Sequence, residues 1–428
     1  MKEKGGISEE GQHARVVDLV WEKRGIEKKE YSMSRSKCIV LAVALLIGQT
    51  AVLSGLSLAA GTETNVVEQW FKDSGLGWLK GLHFKADFRL RYQGEWWEYT
   101  DSDDREQDND RHRGRIRVRF GFTKRYKDDG LTVGFRLASG SSDDPTSTNQ
   151  TLEGNFSKKP VWIDLAYVEY SPPVLPGLTL AGGKVKNPFV HTDIIWDSDV
   201  NMDGLYQSFE LENGAFRPFI TLGEMFLDEN KMDTDHDSGV LAGQVGMKLK
   251  VALFSVNLAA TYYDFDEFER NYRGSHGNAV GDDGVLAAGD FDVFDVVAQL
   301  GTKVADIPIK VVVDYAVNTA EDARGESEFE GKDTAMAAHL KVGKCKKKHD
   351  WEVNYKYAYI EANAVPGDFC DSDFGHANRK GHKLSVGYQP FKKASLHLTG
   401  FWTQPNNLLK GQESHDHYTI QADLKIKL

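Results

Sequence analysis

The chain has 428 residues, 27% of them charged and 40% hydrophobic, and a net charge of −12. A mean hydropathy of −0.46 is far too polar for a bundle of membrane-crossing helices, and the acidic balance argues against nucleic acid as a partner. Three cysteines are too few for a disulfide scaffold, whereas Gly 41, Pro 11 and 11% aromatics suit long paired strands joined by turns.

Residues 1–32 form a hydrophilic leader, and Met33 reads as the true start. Arg35 and Lys37 then precede one long apolar run, 38–60, which ends in small residues. A basic approach, an apolar stretch and a small-residue exit are the pattern of a secretory signal peptide. Residues 1–60 are therefore predicted to be a leader plus signal peptide. Their removal leaves 43 basic and 57 acidic residues, a net −14. Residues 61–81 are predicted to be a periplasmic N-terminal segment or a plug, with a short amphipathic helix over 66–79.

From Leu82 onward the period is two. Leu82, Phe84, Phe88, Leu90 and Tyr92 alternate with His83, Lys85, Asp87, Arg89, Arg91 and Gln93, which puts the two sets on opposite faces of a strand. Ile116, Val118, Phe120 and Phe122 likewise oppose Arg115, Arg117 and Arg119, and Val133, Phe135 and Leu137 oppose Arg136. Sixteen such segments start near residues 82, 112, 131, 161, 178, 204, 215, 239, 252, 291, 307, 334, 351, 382, 395 and 417. Two places are irregular: the alternation breaks in 161–170, and the join near Lys250 lacks turn residues.

Connections alternate between short (127–130, 171–177, 212–214, 304–308, 343–350, 390–394) and long (100–111, 141–160, 188–203, 227–238, 264–290, 319–333, 363–381, 404–416). The long ones are acidic, as at Asp101, Asp103, Asp104, Asp264 and Asp266. Short turns at one end and long loops at the other suit an outer-membrane barrel, with the turns periplasmic and the loops extracellular. An apolar face turned outward and a polar face turned inward suits lipid, where every backbone group must be paired and closure removes the sheet edges. The fold class is therefore all-β: a transmembrane antiparallel β-barrel of about 16 strands over 82–428.

The segments DFRLRYQGEW (87–96), RIRVRFGF (115–122), FRLASGSS (135–142), LAYVEYSPP (165–173), LTLAGGKVKNPF (178–189) and IIWDSDVNMDG (194–204) resemble the bacterial putative porin family, in that family's order. More distantly, the chain is similar to alginate-export-type barrels, which also carry an Arg-rich lumen. The resemblance implies outer-membrane architecture and location rather than a particular substrate. Leu428 stands where many such barrels end in Phe.

Arg89, Arg91, Arg115, Arg117, Arg119 and Arg136 share the polar faces of three neighbouring segments. They read either as a pore-lining wall that guides anions through forked hydrogen bonds, or as structural partners of Asp87, Glu95 and Asp164. In the loop 188–203, Trp196, Asp197 and Asp199 are candidates for a constriction. Residues 199–210 match a calcium-loop spacing (Asp199, Asn201, Asp203, Gly204, Glu210), but the loop leads into a strand and position eight is Tyr206, so no hand-type site is expected. Glu413, His415 and His417 read as a solvated loop rather than a metal site. Cys345 and Cys370 fall at opposite ends of a strand, roughly 40 Å apart along the chain, and are expected to be free thiols. Trp96, Trp97, Tyr99, Trp351, Trp402 and Tyr418 fall where interfacial aromatic girdles sit.

No nucleophile elbow, phosphate loop or zinc motif occurs, so neither an enzyme nor a cofactor or metal is expected. The predicted function is passive or weakly selective diffusion of small hydrophilic solutes, with small organic anions binding in the lumen, across the outer membrane of a Gram-negative bacterium. Expected partners are outer-membrane lipid and lipopolysaccharide, the barrel-assembly machinery and the solutes themselves, with a homotrimer as one open oligomeric state. An exporter of an anionic polysaccharide, a barrel enzyme and a plugged structural protein are the alternatives.

Overall fold

The computed structural model describes residues 81–99, 110–229, 237–268, 276–280, 286, 290–320, 331–408 and 414–428. The predicted signal peptide, the helix expected at 66–79, the acidic residues 101–104 and Glu413 lie outside the described residues. Seventeen strands follow in chain order: β1 (Leu82–Tyr99), β2 (Arg111–Tyr126), β3 (Leu131–Ser139), β4 (Gln150–Thr151), β5 (Val161–Tyr170), β6 (Leu178–Lys186), β7 (Asn201–Glu210), β8 (Phe216–Asp228) and β9 (Ser238–Val251). They continue as β10 (Phe254–Asp266), β11 (Phe291–Val304), β12 (Ile307–Asn318), β13 (Thr334–Gly343), β14 (Trp351–Ile360), β15 (Arg379–Phe391), β16 (Ala394–Pro405) and β17 (His415–Lys427).

Sixteen of them close a single antiparallel barrel. Each pairs with its chain neighbour, β3 pairs directly with β5, and β17 returns to β1 over a register running from Asp87↔Lys427 to Tyr99↔His415. The remaining two-residue strand, β4, is an edge piece on β2. Closure satisfies the backbone of every wall strand without an open edge. The outer wall is apolar: Val118, Phe120, Leu205, Val245, Val313 and Val386 are exposed on it. Trp351 and Trp402 are also exposed there.

The two irregular places have local causes. In β5, Asp164 is the extra residue of a bulge, because Arg136 pairs with Leu165 but Leu137 with Ile163. A bulge resets the alternation, so Ile163 is exposed while Leu165, two residues on, is buried. The join near Lys250 is a two-residue turn in which Ala252 adopts φ 49°. The turn after β2 uses Gly130 at φ 69°, where a Cβ would lie 2.0 Å from the Ser171 carbonyl oxygen.

Three expectations need correction. First, the inward face is not polar throughout. Phe291, Val293 and Val297 of β11, Ala335 and Ala337 of β13, and Ala358 and Ile360 of β14 are buried inward. All but Val297 pack with loop residues in one interior apolar cluster. Second, His415 and His417 belong to β17 rather than to a loop, because β1 runs on to Tyr99 and extends the ladder. Third, Trp97 and Tyr99 share the residue parity of Arg89 and Arg91; Trp97 stacks on His417 and Tyr99 lies tilted against His415, instead of joining an outer girdle.

Candidate functional site

Two chain segments fold into the barrel from the long-loop end. Residues 187–200, between β6 and β7, cross the interior against β9–β15. Gln244 holds the segment at both polar groups of Val190, at 3.0 Å each, and Thr192 donates to the Asp314 carboxylate. Residues 361–378, between β14 and β15, lie beside it: Asp197 N–H donates to Phe369 O at 2.7 Å and Asp371 N–H to Asp193 O at 3.1 Å. The Cys370 thiol donates to Ile194 O at 3.1 Å. Ion pairs complete the clamp. Lys356 meets Asp193 at 2.9 Å and Asp371 at 3.5 Å, and Lys383 meets Asp371 at 2.9 Å.

Trp196 is an anchor within this clamp. It is 2% exposed and packs against Tyr263, Phe265 and Phe369, with ring centroids 4.9–5.9 Å away. The two aspartates beside it differ. Asp199 accepts from Arg119 at 3.4 Å and from the Thr148 hydroxyl at 2.9 Å. Burial alone would raise its pKa, but Arg117 and Arg119 outweigh that and hold it below the ordinary range. Among the described residues no cation pairs with Asp197. Burial first, then the nearby Asp371 carboxylate, push it up to about 9, so it is protonated at neutral pH.

The arginines lie on the face opposite the exposed apolar rows, and register sets their neighbours. Arg89 stands between Arg117 on β2 and Lys425 on β17, while Arg91 stands between Arg115 and Asp423. Like charges directly opposite one another are unfavourable unless compensated. Most are compensated. Asp87 accepts from Arg117 at 2.8 Å through one oxygen and from Arg119 at 2.9 Å through the other. Arg91 grips Asp423 with two bonds, at 2.7 and 3.1 Å, and reaches Asp373 at 2.9 Å. Arg113 pairs with Glu95 at 2.6 Å, and Arg136 pairs with Asp164.

Arg89 and Arg115 are the exceptions. Among the described residues neither has a carboxylate partner. Arg89 donates to the Asn149 amide oxygen, and Arg115 to Gln93 at 3.2 Å and to the Ser147 hydroxyl at 3.4 Å. The Nε of each is buried and without a partner. Ser147 and Asn149 belong to residues 140–160, a third loop turned inward. Sequence reasoning read that loop as external, and its run of short uncharged polar residues at 146–149 was the available signal.

The remaining candidates are engaged in contacts of their own. Asn201 opens β7 and donates to Asp164 at 2.7 Å, and Asp203 pairs with Lys184 at 2.6 Å. No cluster that could hold a metal occurs among the described residues. Cys345 and Cys370 are both free.

A closed sixteen-strand barrel with an apolar outer wall, and with charged walls and infolded loops inside, defines the class: an outer-membrane porin. The chain belongs to the family described as Putative porin, whose model matches residues 100–284 and 283–427. That match starts after the segment 87–96 quoted above and runs well beyond residue 210, almost to the end of β17. Among solved structures, the chain is similar to OprB of Pseudomonas putida in its high-pH structure. That likeness has 10% identity and a TM-score of 0.53, and covers 84% of this chain and 97% of that one. A triple mutant of the Rhodopseudomonas blastica porin is 11% identical, with a TM-score of 0.41, covering 81% of this chain and 100% of that one. A loop-L8 deletion mutant of Vibrio cholerae OmpT is 14% identical, with a TM-score of 0.42, covering 81% and 99%. The OprB likeness carries the fold alone. No curated protein sequence matches the chain.

Proposed function

We propose that this porin passes small hydrophilic solutes by passive, weakly selective diffusion, with a mild preference for anions set by Arg89 and Arg115. The observation that carries this reading is their lack of a carboxylate partner among the described residues, whereas Arg91, Arg117, Arg119 and Arg136 are each paired with one. Paired charges largely cancel at a distance. Two guanidiniums without a directly bound carboxylate, inside a low-dielectric wall, keep a field that the acidic outer loops, screened within about 8 Å at physiological salt, do not. Asp197, Asp199 and the segment 187–200 narrow the passage from the other side, with Trp196 as its anchor. Asp199 is spent on Arg119 and Asp197 is protonated, so this rim adds little negative charge at neutral pH.

Planar-bilayer recording of purified protein tests the reading, together with liposome swelling in sugars of increasing size. The expected result is stepwise conductance and swelling that slows with solute size. No conductance, with and without residues 61–80, would overturn it.

A further inference from the structure

A second basic site lies on the opposite wall, where the sequence alone drew no attention. Register places Lys310 of β12 directly opposite Lys341 of β13, and Lys356 of β14 directly opposite Lys383 of β15. His339 is the cross-strand partner of Lys356. Two like-charged pairs on adjoining strands are costly unless something negative sits among them. Below residues 187–200 these side chains line a recess of about 230 Å³, with Asp193 as its roof and Asn354 and Ser385 beside the lysines.

The protein supplies only part of the compensation. Lys356 and Lys383 are matched by Asp193 and Asp371, and Lys341 lies 3.1 Å from Glu352. Lys310 has no carboxylate within 4 Å among the described residues. The His339 Nε2 is buried and accepts or donates no hydrogen bond, its separation from Asp193 being 3.8 Å. An ammonium, an unused imidazole nitrogen, an amide and a hydroxyl therefore converge on one concave space. Such a set recognises a compact anionic group whose several oxygens each take a donor.

We infer that the recess walled by Lys310, Lys341 and His339 binds the carboxylate or phosphate group of a small solute on the short-turn side of the infolded loop. The site refines the anion preference proposed above and rests on that reading for its role in transport, but not for its existence. Lys310 and Lys341 supply charge, His339 and Ser385 supply directional donors, and Asp193 limits entry to groups that fit beneath it. Arg89 and Arg115 lie on other strands and take no part in it.

The test is isothermal titration of the full chain in detergent with citrate, inorganic phosphate and, as a neutral control, glucose. Wild type is compared with Lys310→Gln and Arg89→Gln/Arg115→Gln, each checked for a heat-modifiable folded barrel. Lys310 has no protein partner to orphan, so Lys310→Gln folds if the wild type does. The expected result is binding of citrate or phosphate and none of glucose. Affinity falls about tenfold in Lys310→Gln, the size of one lost charge-assisted contact, and stays within about twofold in the arginine variant. Which anion binds tells carboxylate from phosphate. Binding of neither anion, an unchanged affinity in Lys310→Gln, or an equal loss in the arginine variant overturns the site. A barrel that binds citrate here yet conducts nothing would instead sink the porin reading and leave the site standing.

Discussion

The two halves of the barrel interior use the same strand geometry for opposite ends. On β9–β14 a large share of the inward residues is apolar, among them Phe265, Phe291, Val293, Ala335 and Ile360, and these pack on two infolded segments at Trp196, Ile194, Phe374 and Cys370, all nearly inaccessible. On β1–β3 and β17 the inward residues are charged, and they are held by one another: Arg117 and Arg119 on Asp87, Arg91 on Asp423. One half spends its side chains on fixing loops in place. The other spends them on a field, and pairs most of that field away. The lesson is that net charge along a wall says little about selectivity, because the unpaired members decide it.

Substitutions should separate the halves by what they disturb. The largest effects belong to buried groups with fixed partners. Trp196→Ala is expected to cost ~3–5 kcal/mol of stability by leaving a cavity between Tyr263, Phe265 and Phe369, with faster amide exchange in residues 187–200. Denaturant unfolding in detergent measures the first and mass-resolved exchange the second. Asn278→Ala is expected to cost less, ~1–3 kcal/mol. Its amide donates to Ala362 O and Val365 O at 2.8 Å and accepts from Gly367 N–H at 2.7 Å, and truncation strands all three. Equal, near-zero costs at both positions would mean that the packed half is not packed.

The next effect is a pH dependence. Asp197 keeps its proton in the folded protein up to about 9, whereas the unfolded chain releases it near the ordinary value of 3.8. Between those values the folded state binds more protons than the unfolded one, so this group lowers stability progressively as pH rises through the interval. Asp197→Asn removes that slope. In the same variant, the drift of selectivity toward cations expected as pH passes about 9 should vanish. A stability profile identical to wild type from pH 5 to 9 would show that Asp197 is ionised throughout.

The strand plan was legible in the sequence because lipid on one side enforces a period of two. Val118 and Phe120 can only face out if Arg117 and Arg119 face in. The starts of all sixteen wall strands fell within three residues of those observed. The packed half was not legible for the same physical reason. In β11, Phe291, Val293 and Val297 face inward while Phe294, Val296 and Leu300 face outward. An apolar residue on either face leaves no contrast to read, although a strand apolar on both faces is itself a sign of burial on both. The arginines were found, but their pairing was not. Asp87 sits two residues from Arg89 in sequence, yet it clasps Arg117 and Arg119 across the ladder. The lysine recess escaped because its members are one or two inward residues on each of four strands, brought together only by register.

The most direct test of the central claim is reversal potential in a KCl gradient at about 0.1 M, neutral pH, for three proteins. The wild type is expected to be mildly anion-selective. Arg89→Gln/Arg115→Gln should shift the potential toward the cation side. Asp87→Asn/Arg117→Gln removes a compensated pair without changing net charge, and should leave the potential close to wild type. A potential unmoved by the first variant, or moved as far by the second, would contradict the claim that the unpaired arginines set the selectivity.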